Sequence, residues 1–269
     1  MGFFADRLQA GLWRDARQLL GGDAVVASDK PTPDIFLDKA KALGLKTQTN
    51  VNFPSMARAD DAQGGNTKLV ALKAVSEGYP LRGNMTLFKA NPQQPNQVTP
   101  DIVTTREVPK PGTVWVDPAL LEALNLQLGQ RLWLGDKDFQ IAALIEREPD
   151  RGANFMNFAP RVMMHKQDVA ATGLIQPASR VGYRLAVAAP DGWSAARGDA
   201  AVRQFVEWTE AQIKAVPLRG VRVESLQSGR PEMRQTLDRA EKFLNLVALL
   251  AALLAAVAVG IASRDFASR

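Results

Sequence analysis

The run FLNLVALLAALLAAVAVGIAS, residues 243–263, contains 21 residues and no charged side chain. Charged pairs flank it, with Glu241 and Lys242 before it and Arg264 and Asp265 after it. A helix rises about 1.5 Å per residue, so this run would extend roughly 30 Å, the thickness of the hydrocarbon core of a bilayer. We therefore predict a membrane-spanning helix here, which would hold the preceding residues at a membrane surface.

One face of the predicted span carries a small side chain at every fourth position, namely at Ala248, Ala252, Ala256 and Gly260. Small residues let two helices approach closely in lipid, where packing rather than the hydrophobic effect drives their association. A lone anchor would need no such face. We therefore expect these four residues to pack against another transmembrane helix.

The residues directly before the span, 231–242, continue its helical pattern. Pro231 suits the first turn of a helix, and Arg234, Asp238 and Lys242 form oppositely charged pairs four residues apart. We predict one continuous helix from about residue 231 to 264, because nothing in this sequence would break it. Such a helix is a stiff stalk that can transmit displacement to the membrane, whereas a Gly/Ser linker could not. The alternative is a passive helical spacer, and the sequence leaves it open.

Composition excludes several classes of protein. The chain of 269 residues carries a net charge of +5, but its basic residues are scattered among acidic ones. Dense basic and aromatic patches, which are typical of nucleic-acid-binding proteins, are absent, so we expect no nucleic-acid partner. The absence of cysteine excludes disulfide bonds, thiolate metal sites and cysteine nucleophiles.

The sequence also lacks the patterns of common catalytic sites. It contains neither a Walker phosphate-binding loop nor the Gly-x-Ser-x-Gly pattern of serine hydrolases. His165 is the only histidine, which makes a zinc site improbable, and an ordinary surface or half-buried histidine is the favoured interpretation. Glu146, Glu148 and Asp150 crowd together, but we expect acidic residues spaced by two at the end of a strand to face solvent. We predict no catalytic residue, no metal site and no cofactor bound by this chain.

An apolar stretch in a loop supplies the remaining candidate site. Its three large side chains are candidates for contact with an apolar cargo, a partner or lipid. Burial in the core is the favoured alternative, since large apolar side chains are usually buried. The residues are Phe155, Met156 and Phe158.

Periodicity predicts a mixed arrangement of helices and strands. The predicted helices cover residues 4–20, 33–44, 119–124 and 195–215, and the predicted strands cover residues 24–27, 47–53, 68–75, 114–116, 131–134, 139–145, 161–164, 181–187 and 221–223. Asp117 precedes Pro118 and is expected to cap the third helix. Strands 47–53 and 68–75 flank a glycine turn and predict a hairpin. Residues 89–112 differ in character from what precedes them: 91–96 and 109–112 are expected to form loops, and we place a boundary between lobes here.

Several segments together resemble those of ABC exporter permeases of the FtsX-like, MacB-type class. The likeness covers essentially the whole chain and is closest to the long permeases predicted to act with a lysophospholipase or esterase. The segments that carry it are residues 2–8 (GFFADRL), 21–28 (GGDAVVAS), 79–83 (YPLRG), 112–117 (GTVWVD), 148–152 (EPDRG), 159–162 (APRV), 173–177 (GLIQP) and 179–184 (SRVGYR).

The resemblance implies an α+β fold with two periplasmic lobes, followed by one transmembrane helix. It implies a membrane-proximal helix over 1–22, a porter-like βαβ lobe over 23–88 and 150–230, and an inserted β-rich lobe over 89–149. A stalk helix over 231–242, the transmembrane helix over 243–263 and the start of a cytoplasmic coupling segment over 264–269 would follow. Because this class has a first transmembrane helix before the segment at 2–8 and further spans later, we expect the chain to be a fragment or a split gene product.

The function implied by the resemblance is that of a non-enzymatic permease segment in the bacterial inner membrane, with most of the chain in the periplasm. Its implied partners are an ATP-binding subunit, which binds the ATP, the remaining transmembrane helices, and a periplasmic partner or a lipid-like, lipoprotein or peptide cargo. Two alternatives stay open. One is an FtsX-like anchored scaffold that regulates a periplasmic partner, and the other, less favoured, is a membrane-tethered hydrolase.

Overall fold

The fold is described from a computed structural model. The described residues are 2–91, 93–94, 96–152, 158–177, 179–216, 218–226, 239, 242–243, 246–251, 253–255 and 257. The chain divides into two units, one formed by residues 1–16 and 226–269 and the other by residues 17–225. The helices are α1 (Gly2–Leu20), α2 (Asp34–Ala42), α3 (Pro118–Leu124) and α4 (Ala195–Ala215), and the strands are β1 (Ala24–Ser28), β2 (Lys46–Ala59), β3 (Thr67–Val75), β4 (Met85–Ala90), β5 (Val98–Thr105), β6 (Thr113–Val116), β7 (Arg131–Leu134), β8 (Lys137–Arg147), β9 (Arg161–His165), β10 (Gly182–Ala188) and β11 (Arg222–Ser225).

The predicted membrane span lies partly outside the described residues, which omit 244–245, 252, 256 and 258–263. Its described residues are helical, and the large apolar side chains among them, such as Phe243 and Leu249, are exposed. Among the described residues, no helix combines the length and the apolar character that a membrane crossing requires. The membrane-spanning helix therefore stays a prediction, as does the stalk over 231–242, of which only 239 and 242 are described.

One end of the sheet in the larger unit is covered by helices. Strands β11, β1, β10 and β2 pair side by side, each antiparallel to the next. Helices α2 and α4 contribute Phe36 and Phe205 to a core that also contains Val26 and Leu185 of the strands. Ser194 caps α4, because its side chain accepts a hydrogen bond from the backbone N–H of Arg197 at 3.3 Å. We call this region the helix-covered end.

The other end of the sheet closes on itself. From β2 the pairing runs through β3, β9, β6, β8 and β7, and β7 then returns to β2, where Leu132 to Leu134 pair with Ala59 to Ala57. The result is a closed six-stranded barrel. Because the barrel is closed, neither β7 nor β2 has a free edge where the two strands meet. Its interior is filled with apolar side chains, among them Leu72 of β3 and, from α3, Leu120.

Within residues 17–225 the predicted helices and strands are confirmed, most with small shifts of their bounds, and the β2–β3 hairpin forms as predicted. The exception is β2, which was predicted over 47–53 and continues to Ala59, where it pairs with β7. The described residues of the predicted loops 91–96 and 109–112 lie outside helices and strands, as predicted, but β4 and β5 on either side of the first loop form a second hairpin that was not predicted, with Met85 paired to Thr105. Most side chains of β5 are exposed, so its sequence VTPDIVTT carries no alternation that would mark a strand. Pro100 lies within β5, which pairs only with β4 and is an edge strand, where proline is tolerated.

The fold class is mixed α/β and rich in sheet, in agreement with the predicted α+β class. The predicted division into lobes at residues 89 and 149 stays a prediction. Strands from both predicted lobes share the closed barrel, since β7 pairs with β2 and β6 pairs with β9.

Candidate functional site

A buried cluster of charged side chains lies against the outer face of the barrel. Lys73 of β3 and Arg161 of β9 alternate with side chains that point into the barrel, and therefore lie on the opposite face of the sheet. Glu148 and Asp150, which follow β8, meet them there, and Tyr79 completes the cluster. The four charged side chains are each at most 5% exposed. Charged groups are almost never buried unless they are paired, and here two cations face two anions.

The hydrogen bonds of this charge cluster connect all five side chains. Lys73 Nζ donates to Glu148 Oε1 at 2.7 Å, to Asp150 Oδ1 at 2.8 Å and to the Tyr79 hydroxyl at 3.0 Å. The Tyr79 hydroxyl donates to Asp150 Oδ1 at 2.5 Å. Arg161 Nε donates to Glu148 Oε2 at 2.7 Å, and its Nη1 donates to the carbonyl of Ala71 at 3.2 Å.

The environment of the cluster raises the pKa of Tyr79 and lowers the pKa of Asp150. Burial, together with the charges of Asp150 and Glu148, raises the pKa of Tyr79 well above its usual value, so its hydroxyl stays a donor. Burial is also the largest single influence on Asp150 and opposes its ionisation. The charge and the hydrogen bond of Lys73 and the hydroxyl of Tyr79 outweigh it, and the pKa of Asp150 is lowered. The cluster is therefore held as ion pairs with a neutral tyrosine.

The expectation that the acidic residues before Arg151 face solvent holds for Glu146 and is wrong for Glu148 and Asp150. The reason is the bend after β8, which turns their side chains towards Lys73 and Arg161 rather than outward. The sequence did hold one signal for this cluster. Lys73 stands in an otherwise apolar stretch, LVALKAV, and a lysine inside a buried strand requires an anionic partner.

A second ion pair joins the same region to the start of β9. Arg151 donates to both carboxylate oxygens of Asp117, through Nη1 at 3.2 Å and Nη2 at 2.7 Å. Asp117 Oδ2 also accepts from the backbone N–H of Arg161 at 2.8 Å. Asp117 occupies the expected position before α3, but its side chain makes no capping hydrogen bond, because it is engaged by Arg151 and Arg161 instead.

A third contact joins two distant segments at the helix-covered end. Arg82 donates to both carboxylate oxygens of Asp23, at 2.8 and 2.6 Å, and this hydrogen bonding raises the pKa of Arg82. Asp23, Tyr79, Arg82, Asp117, Glu148, Asp150, Arg151 and Arg161 all belong to segments on which the family resemblance rests. Those segments therefore share a physical role, since they supply the ion pairs that join strands and loops distant in sequence.

Gly21 approaches this charge cluster closely. Its φ of +82° is a left-handed conformation that glycine adopts without strain. A Cβ atom at this position would lie 2.7 Å from Asp150 Oδ2, so any side chain would displace the carboxylate. The glycine pair at 21–22 thus ends α1 and also leaves room for the cluster.

His165 lies at the end of β9, as expected, but it is buried, with 4% of its surface exposed, rather than at the surface. Its Nδ1 accepts a hydrogen bond from the backbone N–H of Gln167 at 3.2 Å. In the part of the chain that the structure describes, no set of three His, Cys, Asp or Glu side chains is arranged to bind a metal ion.

The remaining predicted site residues are only partly described. Phe158 is 84% exposed, so burial in the core, the favoured alternative, is wrong for this residue. Phe155 and Met156 lie outside the described residues. Ala248 is helical and exposed, whereas the other three residues of the predicted packing face, Ala252, Ala256 and Gly260, also lie outside them. Their roles stay predictions.

Comparison with known proteins gives one relative along the whole chain. No protein-family model matches. An uncharacterized ABC transporter permease of Escherichia coli K12, YbbP, is 30% identical over 266 residues, which are 99% of this chain and 29% of the relative. The chain thus spans less than a third of the length of the relative that it matches.

Two solved structures show weaker likenesses. The periplasmic region of MacB from Actinobacillus actinomycetemcomitans aligns with a TM-score of 0.48 at 11% identity, covering 85% of this chain and 98% of that one. The extracellular domain of YknZ, a noncanonic ABC-type transporter from Gram-positive bacteria, aligns with a TM-score of 0.43 at 8% identity, covering 75% and 100%. Neither alignment reaches a TM-score of 0.5, so the sequence match alone supports the relationship: from end to end this chain is similar to a segment of an ABC transporter permease.

Proposed function

We propose that the chain is the extracytoplasmic segment of an ABC-type exporter permease, together with the transmembrane helix that follows it. The observation that carries the proposal is the 30% identity to a permease over 99% of the chain. The relative is a transporter component by name, and this favours a permease over the membrane-tethered hydrolase.

In this proposal the chain does not hydrolyse ATP. A separate ATP-binding subunit at the cytoplasmic face closes on ATP and shifts the helix over residues 231–264. The helix passes that movement to the folded unit of residues 17–225, which handles a lipid-like, lipoprotein or peptide cargo. Supporting this, the apolar run at 243–263 is long enough to cross a bilayer, and no helix-breaking residue separates it from Pro231. Association with a lysophospholipase or esterase stays a prediction.

The ion pairs suit such a role physically. A unit that is moved as a body must resist deformation, and the segment after β8 is joined to β3 and β9 by paired, buried charges. Networks of this kind fix one arrangement when every member is satisfied. We therefore assign the charge cluster a positioning role in the permease and no chemistry on a cargo.

The coupling is tested by inserting Gly-Gly after Arg239 in the protein expressed with its natural flanking sequence and its ATP-binding subunit. Glycine disfavours helix by about 1 kcal/mol per residue, so the insertion should interrupt the stalk. We expect ATP turnover to continue while its stimulation by cargo, or export itself, is lost. The measurement is ATP hydrolysis in reconstituted vesicles alongside transport.

The matched control inserts Ala-Ala at the same position, which keeps the length and rotation of the Gly-Gly insertion but preserves the helix. Loss of coupling with Gly-Gly and its retention with Ala-Ala support a stiff stalk. Equal coupling in both variants contradicts it and favours the passive spacer. Failure of the protein to co-purify with any ATP-binding subunit contradicts the permease itself. Specific binding of a soluble protein by residues 21–228, without affinity for lipid, would favour the FtsX-like scaffold.

A further inference from the structure

A cleft of about 430 Å³ lies where β3 and β9 end side by side. These two strands are parallel, and Val75 pairs with His165 at their last residues. The chain that follows each strand therefore leaves the sheet at the same place and forms the walls of the cleft. Its lining residues are Thr49, Ser76, Glu77, His165, Lys166 and Gln167.

His165 brings an unsatisfied donor to this cleft. Because its Nδ1 accepts from Gln167, the neutral ring carries its proton on Nε2. That Nε2 atom is buried and has no hydrogen-bond partner among the described residues. The Glu77 carboxylate lies 3.4 Å away without making a hydrogen bond, and its side chain is 85% exposed. A buried donor without an acceptor is costly, so an external acceptor would be favoured here.

Lys166 brings a second donor. Its Nζ donates to Thr49 Oγ1 at 2.7 Å, and within the described part of the chain no carboxylate lies within 4.0 Å of it. Burial lowers the pKa of Lys166, which shows that its ammonium group is partly stripped of water without a compensating anion. The Thr49 hydroxyl accepts from Lys166, so its own proton is available to a ligand.

We propose that this cleft binds a phosphate group, free or esterified. The ammonium of Lys166, the Nε2–H of His165 and the hydroxyl of Thr49 are three donors from two segments, the end of β9 and strand β2, and they suit the several oxygens of a tetrahedral anion better than the two of a carboxylate. Glu77 holds its own carboxylate near His165 and opposes the ligand. Because that side chain is largely exposed, it can turn into solvent when an anion enters. This inference does not depend on the proposed transport function.

The test uses the full chain, labelled with ¹⁵N and kept in a neutral detergent. The chain has a single histidine, so its ring signals report on the cleft without ambiguity. Inorganic phosphate, glycerophosphoglycerol and acetate are each titrated in at constant ionic strength. We expect a saturable shift of the His165 ring signals with at least one of the two phosphate compounds and a clearly weaker response to acetate. Stronger binding of inorganic phosphate points to a free phosphate or a monoester, and stronger binding of the diester points to a lipid headgroup.

Two substitutions should move the affinity in opposite directions. Lys166→Met removes the main charge and should weaken binding about tenfold or more, whereas Glu77→Gln removes the opposing charge and should strengthen it about threefold to tenfold. Lys68→Met, at an exposed lysine of β3, is the matched control and should leave the affinity unchanged. The proposal is overturned by shifts that do not saturate, by acetate binding as tightly as phosphate, or by Lys166→Met and Lys68→Met behaving alike.

Discussion

The helix-covered end and the barrel belong to the same sheet, but one face of the sheet is covered differently in the two regions. At the helix-covered end, α2 and α4 lie on the sheet with an apolar core that contains Phe36 and Phe205. On the outer face of the barrel there is no such helix among the described residues. Instead Lys73 and Arg161 are covered by Tyr79 and the segment after β8, through ion pairs, beside an apolar cluster that contains Met163 and Met85.

The difference lies in what each region tolerates. An apolar interface loses free energy in proportion to the contacts and the volume removed, and its neighbours relax in part. A buried charge cluster depends on all of its members, because removing one leaves the others charged and unpaired in a medium of low polarity. We therefore expect the barrel face to respond more sharply to a change of one functional group than the helix-covered end does.

The largest effect is expected for Glu148→Gln, which keeps the shape of the side chain and removes its charge. Lys73 would then keep the carboxylate of Asp150, whereas Arg161 would lose its ion pair with Glu148, and removal of one partner from a buried pair costs about 3–5 kcal/mol. The free energy of unfolding, measured by urea denaturation, checks this. The control is Glu146→Gln, two residues away and exposed, which should change it by less than about 0.5 kcal/mol.

A loss for Glu148→Gln as small as that of the control would mean that the cluster is open to water and that the two faces of the sheet do not differ in this respect. Replacement of Arg161 by Met together with Glu148 by Leu should recover part of the lost free energy, since the cation that depends on Glu148 is then removed with it while Lys73 keeps Asp150 as its partner. A double variant that is no more stable than Glu148→Gln would contradict this explanation.

The next largest effects are expected from substitutions in the two apolar cores, that of the barrel and that of the helix-covered end. Leu132→Ala in β7 and Leu185→Ala in β10 each remove a fully buried leucine side chain, and each should cost about 2–5 kcal/mol. Their local consequences should differ. Because β7 closes the barrel on β2, Leu132→Ala should speed amide hydrogen exchange at Ala57 and Ala59, whereas Leu185→Ala should speed it in β1.

The pattern of exchange decides the outcome of that comparison. Equal acceleration in both regions for both variants would show that barrel and helix-covered end open as one cooperative body. Unchanged exchange at Ala57 and Ala59 in Leu132→Ala would contradict the closure of the barrel by β7.

The smallest effect is expected for the dependence of the free energy of unfolding on pH. The pKa of Asp150 is lowered in the folded state, so the stabilisation from its ionised form is fully present above the ordinary value of 3.8 and is lost as the pH falls through the lower folded value. The free energy of unfolding of the native chain should therefore decline below about pH 4. Asp150→Asn should be less stable at neutral pH and should show a flatter decline, as measured by urea denaturation at several pH values.

The matched control for the pH dependence is Asp191→Asn, because the pKa of Asp191 is also lowered, by the hydrogen bond from Lys46, but its side chain is largely exposed. Exposed ion pairs contribute little to stability, so this variant should keep most of the acid-induced decline. An equal flattening in the two variants would contradict a special role for the buried carboxylate.

The two regions also differ in how far the sequence predicts them. The helix-covered end follows from local patterns, because α4 repeats apolar residues at helical spacing and β10 alternates Tyr183, Leu185 and Val187. The barrel depends on the pairing of Ala57 with Leu134, which are far apart in the chain, and no local pattern encodes that contact.

The candidate site was predicted less well than the fold. Glu148 and Asp150 were expected in solvent because alternation says which face of a strand a residue occupies, but not what covers that face. The same limit applies to His165, whose burial depends on the meeting of the ends of β3 and β9. Lys73 inside β3 was the exception. A lysine in a buried strand requires an anionic partner, but the periodicity of the sequence does not identify that partner.

The central claim is that the unit of residues 17–225 lies outside the cytosol while the apolar run at 243–263 crosses the membrane. These 269 residues contain no cysteine, which allows a direct measurement with single substitutions, Lys110→Cys in the folded unit and Ser268→Cys beyond the apolar run. The protein is expressed with its natural flanking sequence, in which any cysteine is replaced by serine. A membrane-impermeant maleimide applied to intact spheroplasts should label the variant at position 110 and should label the variant at position 268 only after the membrane is permeabilised. Labelling of both variants, or of neither, before permeabilisation would contradict the claim.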